Sequence, residues 1–360
     1  MESNKYKNYR PQALWNETPS KEPIIIAGPC SAESEKQVIE TAIALKQIGI
    51  NKFRAGVWKP RTYPGQFEGM GVKALPWLVK ARDLTNMLIG TEVGLTSHID
   101  AALKHQLDFL WIGARTTSSP FVMQEIANAL KGVDLPILIK NPPAPSIDLW
   151  IGGVERLIDG GAKRIGLIHR GFDIGHPHHF RNAPLWEMAY KIRNYFPHIP
   201  IFLDPSHMAG KIDYLGRLIE IAIMLKYDGI MLESHLTPKE ALSDQMQQIS
   251  PSHLAKVLNN IPILTTSQPS NGALHLLRDE MTSIDERLMI LLSQRRQLSK
   301  RIGEVKLANG DTPFQSQQYQ IKQKQIQELA DAFEIPTDIV YQLYNIIHDD
   351  SVAIQNNEDL

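Results

Sequence analysis

Short apolar runs alternate along the chain with stretches whose apolar positions recur every three or four residues. The runs cover 23–30, 52–56, 87–93, 109–114, 136–141, 164–170, 200–207 and 229–234. The helical period predicts helices over 35–49, 71–86, 97–106, 120–132, 148–160, 184–196, 211–227 and 238–258. Strand and helix signals in alternation predict a parallel sheet. Eight such pairs suit a (β/α)8 TIM barrel, an α/β fold whose chemistry sits at the carboxyl ends of the strands.

The pattern then changes. Asn-Asn-Ile-Pro and Thr-Thr-Ser-Gln-Pro-Ser-Asn-Gly make 259–272 a linker between a barrel at 1–258 and a small all-α domain at 273–360. In the latter, Leu274, Leu277, Met281, Ile284, Leu288, Leu291, Leu298, Ile302 and Val305 form a long heptad seam. One step of that seam falls on Arg295, a cation where an apolar side chain is expected, and a buried guanidinium needs an anion. Lys306 lies on nearly the same helical face. Arg278 lies roughly 25 Å away along a straight helix. One small ligand cannot touch both Arg278 and Arg295 on one helix, so their joint use requires a second chain and hence a dimer.

Composition narrows the picture. The 360 residues allow a barrel and a smaller domain, 43% hydrophobic content suits a globular core, and a net charge of -1 gives no case for nucleic acid. No apolar run is long enough to span a bilayer, and the polar start lacks the apolar stretch of a signal peptide, so a cytoplasmic protein is expected. The polar lead-in, ending at Glu22, is expected to be too short for a separate regulatory domain. A single cysteine, Cys30, rules out an intramolecular disulfide.

The expected strand ends carry reactive groups: Cys30, Arg54, Glu92, Arg115, Lys140, Arg170, His207 and Glu233. Lys59 and Arg61 follow on the loop after the second strand, where glycine and proline let the charges converge. So many cations suit ligands with several negative charges. Cys30, His207 and Glu233, with Asp244 beyond the eighth strand, form a candidate divalent metal site if the barrel closes. The denser cluster of His176, His178 and His179 lies in a proline-containing loop and is read as exposed histidines.

Gly28-Pro29-Cys30-Ser31, Lys59-Pro60-Arg61-Thr62, Ile112-Gly113-Ala114-Arg115-Thr116, Asp204-Pro205-Ser206-His207 and Leu232-Glu233-Ser234-His235 stand in order along the chain. With these motifs the first part resembles the type I 3-deoxy-D-arabino-heptulosonate 7-phosphate (DAHP) synthases, of the short beta-like subclass. The resemblance implies condensation of phosphoenolpyruvate with erythrose 4-phosphate. It implies Cys30, His207, Glu233 and Asp244 as metal ligands, for Mn, Co, Fe or Zn. It makes Arg54, Lys59, Arg115, Lys140 and Arg170 the phosphoenolpyruvate grip, with Lys59 catalytic, and gives erythrose 4-phosphate to Pro60, Arg61 and Thr62. A related synthase acting on an arabinose phosphate or an amino sugar is a third possibility, against which Lys59-Pro60-Arg61-Thr62 argues.

The second part resembles the all-helical chorismate mutases through Leu277-Arg278-Asp279, Asp285, Arg295-Arg296, Lys306 and Asp350-Ser351-Val352 to Gln355. That family implies an intertwined three-helix homodimer that rearranges chorismate to prephenate. Arg278, Arg295, Lys306, Gln320, Ser351 and Gln355 would bind the ligand, with Arg295, Lys306 and Gln355 catalytic. Ser316, Tyr319 and Gln320 stand where the family carries Asp, Arg and Glu. The combined expectation is a bifunctional enzyme of aromatic biosynthesis with prephenate as feedback inhibitor. The alternative is a synthase whose helical part is a dimerising, non-catalytic sensor of chorismate or prephenate.

Overall fold

A computed structural model describes residues 5–15, 23–61, 63–175, 180–261, 271–310, 312, 315–332 and 335–356, with the backbone alone at 271–280, 283, 287 and 332. The chain divides into two compact units, Met1–Thr266 and Ser267–Leu360. Most of the expected linker therefore lies outside the described residues.

In the first unit, β1 (Ile24–Gly28) leads to α1 (Glu35–Gln47), β2 (Lys52–Arg54) to α2 (Leu75–Thr85) and β3 (Leu88–Val93) to α3 (Thr96–Lys104). β4 (Phe109–Ile112) is followed by a single turn, α4 (Ala114–Thr117), and then α5 (Pro120–Ala129); β5 (Ile137–Lys140) is followed by α6 (Ile147–Asp159). β6 (Ile165–His169) leads to α7 (Trp186–Tyr195), and β7 (Ile201–Leu203) to the short α8 (Pro205–Ala209) and α9 (Leu215–Met224). After β8 (Gly229–Glu233) comes α10 (Pro251–Asn259). The strands form a closed parallel barrel, with Gly28 of β1 opposite Glu233 of β8.

Serines 34, 119, 146 and 250 cap α1, α5, α6 and α10 by accepting a backbone N–H from the first turn. The eight expected strands are all present, with ragged ends trimmed. The helix expected over 238–258 is not: Ser250 caps a helix that starts only at Pro251, where a missing N–H costs nothing. The stretch before it is a loop with two 3-10 turns, pinned to the end of β8 because Ser234 donates its hydroxyl to the carbonyl of Ile249 at 2.7 Å. Asp244 therefore rides on a loop.

Apolar side chains between sheet and helices make one core, and Ile26, Phe109, Trp111, Leu138, Ile168, Phe202 and Met231 fill the barrel interior. Leu14 and Trp15 join that inner core, the indole meeting Phe109 and Phe202 edge-on. The lead-in read as polar thus contributes buried apolar surface; its apolar residues are too isolated to give a periodic signal. Gly28 permits the end of β1 to lie against β2, since a Cβ there would fall 2.0 Å from the carbonyl oxygen of Arg54.

The second unit is three helices, α11 (Asn271–Asn309), α12 (Ser316–Ala332) and α13 (Thr337–Gln355), with α13 packed on both others. Its buried residues among those described are few and, Tyr344 aside, small: Ser299, Gly303, Ala330, Tyr344, Ser351 and Ala353. Met281, Ile284, Leu288, Leu291, Leu298, Ile302 and Val305 of the seam are exposed in this chain.

Candidate functional site

The carboxyl end of the barrel holds a cavity of about 310 Å³ lined by Lys59, Pro60, Arg61, Glu92, Arg115, Lys140, Arg170, Arg181, His207 and Asp244, with Tyr63, Gln66 and Ala114. Only Arg54, Lys140 and Glu233 of the expected strand ends are last strand residues; Cys30, Arg115, Arg170 and His207 lie one or more residues beyond, and Glu92 one before. Thr62 and the three loop histidines, 176, 178 and 179, lie outside the described residues.

Ligand atoms of Cys30, Glu233 and the cavity-lining Asp244 lie within 4.8 Å of one another. The thiol donates to Asp244 Oδ2 at 3.2 Å and accepts from Lys59 Nζ at 2.8 Å. Burial and the neighbouring Glu233 hold that thiol above its usual range against the pull of Lys59. Burial pushes Lys59 down, but Cys30, Glu233, Glu92 and Asp244 outweigh it and raise the ammonium. Asp244 also moves below the usual carboxylate range: Lys59 and His207 prevail over its burial.

His207 stands outside this threefold cluster. Its Nε2 is 3.6 Å from Glu233 Oε1, while Nδ1 is 2.8 Å from Asp204 Oδ2. Burial lowers its imidazole below the usual range, against the pull of Asp204. Asp204 is held well below the normal carboxylate range because His207 and Lys140 overcome its burial. Lys140 donates to the same Oδ2 at 2.9 Å, and Oδ1 accepts the His207 N–H that starts α8. A sulfur, two carboxylates and an imidazole turned on a buried aspartate fit a divalent transition metal.

Arg54 is fully buried, 1% exposed, and donates from Nη2 to Glu233 Oε1 at 3.1 Å. Its Nε and Nη1 are buried and have no hydrogen-bond partner among the described residues. A guanidinium left so incompletely satisfied calls for an anion. Burial brings Arg170 down to about 10, with Arg181 and Arg115 adding to that effect and Asp204 opposing it. It stays charged at neutral pH and donates to Asn182 Oδ1 at 2.6 Å.

The sequence reading missed Arg181, Asp204, Asn182 and Gln247 as site residues. Arg181 follows the loop set aside for its histidines, and its position in a βα loop was the available signal. Asp204 belongs to a recognised motif, but the motif does not disclose its ion pairs. Nothing in the sequence singled out Asn182 or Gln247.

In the helical unit, Arg295 of α11 is half-buried and turned toward α13, donating to the carbonyl of Ile347 at 2.8 Å and to the hydroxyl of Ser351. Gln355 lies one turn beyond Ser351, where α11 presents Gly303: a Cβ there would fall 3.0 Å from Gln355 Cα. The buried Oε1 of Gln355 has no partner among the described residues. Lys306 sits almost one turn past Gly303 on α11. Gln320 is exposed, and the Arg278 side chain is outside what is described. Tyr319 lies over His348 with ring centroids 4.4 Å apart and donates to Asn345 at 3.1 Å.

Residues 18–266 match the DAHP synthetase I family, and residues 277–356 match chorismate mutase type II. Over 228 residues the chain is 33% identical to the phospho-2-dehydro-3-deoxyheptonate aldolase of Thermotoga maritima, covering 62% of this chain and 64% of that one. The chain thus spans somewhat less than two thirds of that relative. A 2-dehydro-3-deoxyphosphooctonate aldolase of Desulfotalea psychrophila is 24% identical over 256 residues, or 66% of this chain and 88% of its own. The crystal structure of the Thermotoga maritima DAHP synthase superposes with a TM-score of 0.61 at 29% identity, covering 67% of this chain and 68% of that one. Among the described residues no helix is long and apolar enough to cross a membrane.

Proposed function

Because the chain belongs to the DAHP synthetase I family, we propose that its barrel condenses phosphoenolpyruvate and erythrose 4-phosphate with water, giving DAHP and inorganic phosphate. The observation that carries this reading is the convergence of Lys59, Arg61, Arg115, Lys140 and Arg170 on one cavity above Cys30, Glu233 and Asp244. Arg54, Lys59, Arg115, Lys140 and Arg170 would hold phosphoenolpyruvate, and the two unpartnered nitrogens of Arg54 support a carboxylate or phosphate oxygen beside it. Pro60, Arg61 and Thr62 would hold the phosphate of the aldehyde.

C3 of the enol forms the new bond to the aldehyde carbon, whose oxygen takes up a proton. Water adds to C2 and loses one proton, and the C2–O bond to phosphate then breaks as the C2 hydroxyl gives its remaining proton to the departing phosphate, leaving the C2 ketone. The raised Lys59 ammonium suits the oxygen on which charge develops. Cys30, His207, Glu233 and Asp244 would hold a divalent ion, Mn, Co, Fe or Zn, which when bound supplies Lewis acidity toward the aldehyde or the water. The 33% match to a heptonate enzyme against 24% to an octonate enzyme favours the four-carbon acceptor.

The helical unit we assign to rearrangement of chorismate to prephenate, with Arg295, Lys306, Ser351 and Gln355 from one chain. Arg295 and Ser351 in contact, with an unpartnered Gln355 oxygen a turn away, support it. A second chain would supply Arg278, and the exposed apolar seam of α11 supports a homodimer. A pericyclic reaction needs positioning and charge stabilisation rather than an acid and a base. One observation favours the sensor reading: Tyr319, which replaces a family arginine, bonds within the unit to Asn345.

Prephenate formation by the full chain, compared with Arg295→Ala while synthase activity is followed in the same samples, separates the two. Turnover lost in the variant establishes two catalytic units. No turnover in the unaltered chain, with prephenate still bound, makes the tail a sensor. Fusion to a prephenate-binding unit also motivates feedback inhibition of the synthase, and a synthase rate unchanged by saturating prephenate would rule it out. The reading places the protein in the cytoplasm.

A further inference from the structure

The Asp244 backbone has φ of 46°, a left-handed conformation that non-glycine residues seldom occupy, so something must hold this loop. The contacts lie one residue layer out. Gln247, 1% exposed, donates from Nε2 to Glu233 Oε2 at 2.6 Å and accepts at Oε1 from Arg181 Nη1 at 2.7 Å. The same Arg181 nitrogen donates to Asp244 Oδ1 at 3.0 Å. The four side chains thus form a continuous relay from one candidate ligand carboxylate to the other. Its polarity is fixed: Glu233 can only accept and Arg181 can only donate, so the Gln247 amide has one allowed orientation.

The relay occupies one oxygen of each carboxylate and leaves the other facing inward. Glu233 Oε1 meets Arg54 at 3.1 Å and lies 3.6 Å from His207 Nε2, and Asp244 Oδ2 meets the Cys30 sulfur at 3.2 Å. Carboxylates arranged this way would each offer a single oxygen to an ion between them.

We propose that Arg181 and Gln247 are positioning residues that orient Glu233 and Asp244 and thereby set the affinity of the site for a divalent metal. This rests on the metal-site reading above. A competing role for Arg181, as one more cation for the substrate phosphate, would alter KM for substrate but not metal affinity. Arg181 is half exposed, so its replacement leaves the fold intact, whereas Gln247 is buried.

The test is calorimetric titration of Mn2+ into the chelator-stripped full-length chain, without substrate. Arg181→Met, Gln247→Leu, Gln247→Glu, the Arg181→Met/Gln247→Leu double variant and Cys30→Ser are compared with the unaltered chain, each checked by circular dichroism. Removing an outer partner of a metal ligand typically weakens binding about 10–100-fold, and that is expected of Arg181→Met and Gln247→Leu. The double variant should be no weaker than the worse single one, because the two act as one unit. Gln247→Glu, which sets a third carboxylate against Glu233, should lose the relay while keeping its shape. Metal affinity within about twofold of the unaltered chain in Arg181→Met, even with a raised KM, overturns the proposal, as does full additivity. Should Gln247→Leu not fold, Arg181→Met and Gln247→Glu decide. No Mn2+ binding by the unaltered chain, or undiminished binding by Cys30→Ser, overturns the metal-site reading itself and the relay with it.

Discussion

Arg54 and Glu233 form an ion pair at 3.1 Å in which both side chains are buried. The guanidinium also lies over the Trp111 ring, its centre 4.9 Å from the centroid. Removing one member of such a pair leaves the other charge buried alone, at a cost of about 3–5 kcal/mol. Arg54→Met should therefore lower thermal stability by that order. Arg54→Lys should be milder in stability but lose the forked donor geometry, raising KM for phosphoenolpyruvate at least about tenfold. Calorimetric unfolding and initial-rate kinetics on the same variants check both; an Arg54→Met protein as stable as its parent would show the charge is met elsewhere.

The proposed metal site makes a second prediction. Cys30→Ala and His207→Ala should each abolish metal-stimulated synthase activity, and a chelator should silence the unaltered chain until Mn2+ is returned. His178→Ala and His179→Ala should retain bound metal in inductively coupled plasma analysis. Metal lost from the loop variants and kept by Cys30→Ala would move the centre to the loop.

The barrel was legible because strand and helix periods are local, and β1 to β8 all fall within the apolar runs. The loop before α10 was not, because its conformation depends on a distant bond from Ser234 to Ile249. The same division holds in the site. Lys140 and Arg170 announced themselves by charge at strand ends, Lys59 by charge on the loop after β2, and His207 by its motif. Asp204 and Gln247 work through partners such as Lys140, 64 residues from Asp204, and Arg181, 66 from Gln247. Trp15 was hidden for a related reason: a lone indole in a polar lead-in shows no period until Phe109 and Phe202 surround it.

Acid should weaken the barrel through His169. This imidazole is buried beside Trp150, Phe172 and Trp186, with Nδ1 2.8 Å from the Tyr227 hydroxyl, and burial lowers it from 6.5 to about 3. Between those values the unfolded chain holds a proton that the folded chain refuses, so stability falls as pH falls. The slope from this group is about 1.4 kcal/mol per pH unit. His169→Gln should remove one proton's worth of that slope in urea unfolding followed from pH 7 to pH 4.5. Parallel curves for variant and parent would show that His169 is not the group refusing the proton.

Gly303 tests how closely α11 and α13 must approach for the proposed mutase reaction. An alanine there would place its Cβ 3.0 Å from Gln355 Cα and 3.3 Å from Gln355 Cβ, tighter than ordinary contact and against backbone rather than a mobile side-chain end. Helix propensity works the other way, since replacing a mid-helix glycine by alanine favours the helix by about 1 kcal/mol. The two effects act on different observables. Helicity of the unit should hold or rise, while α13 shifts outward by a few tenths of an ångström and carries the Gln355 amide with it. Misplacing a group by about 1 Å can cost on the order of 100-fold in rate, so a smaller displacement should lower kcat/KM for chorismate about tenfold. Circular dichroism and the prephenate assay on Gly303→Ala read the two separately. Undiminished turnover would mean that Gln355 does not need its present distance from α11.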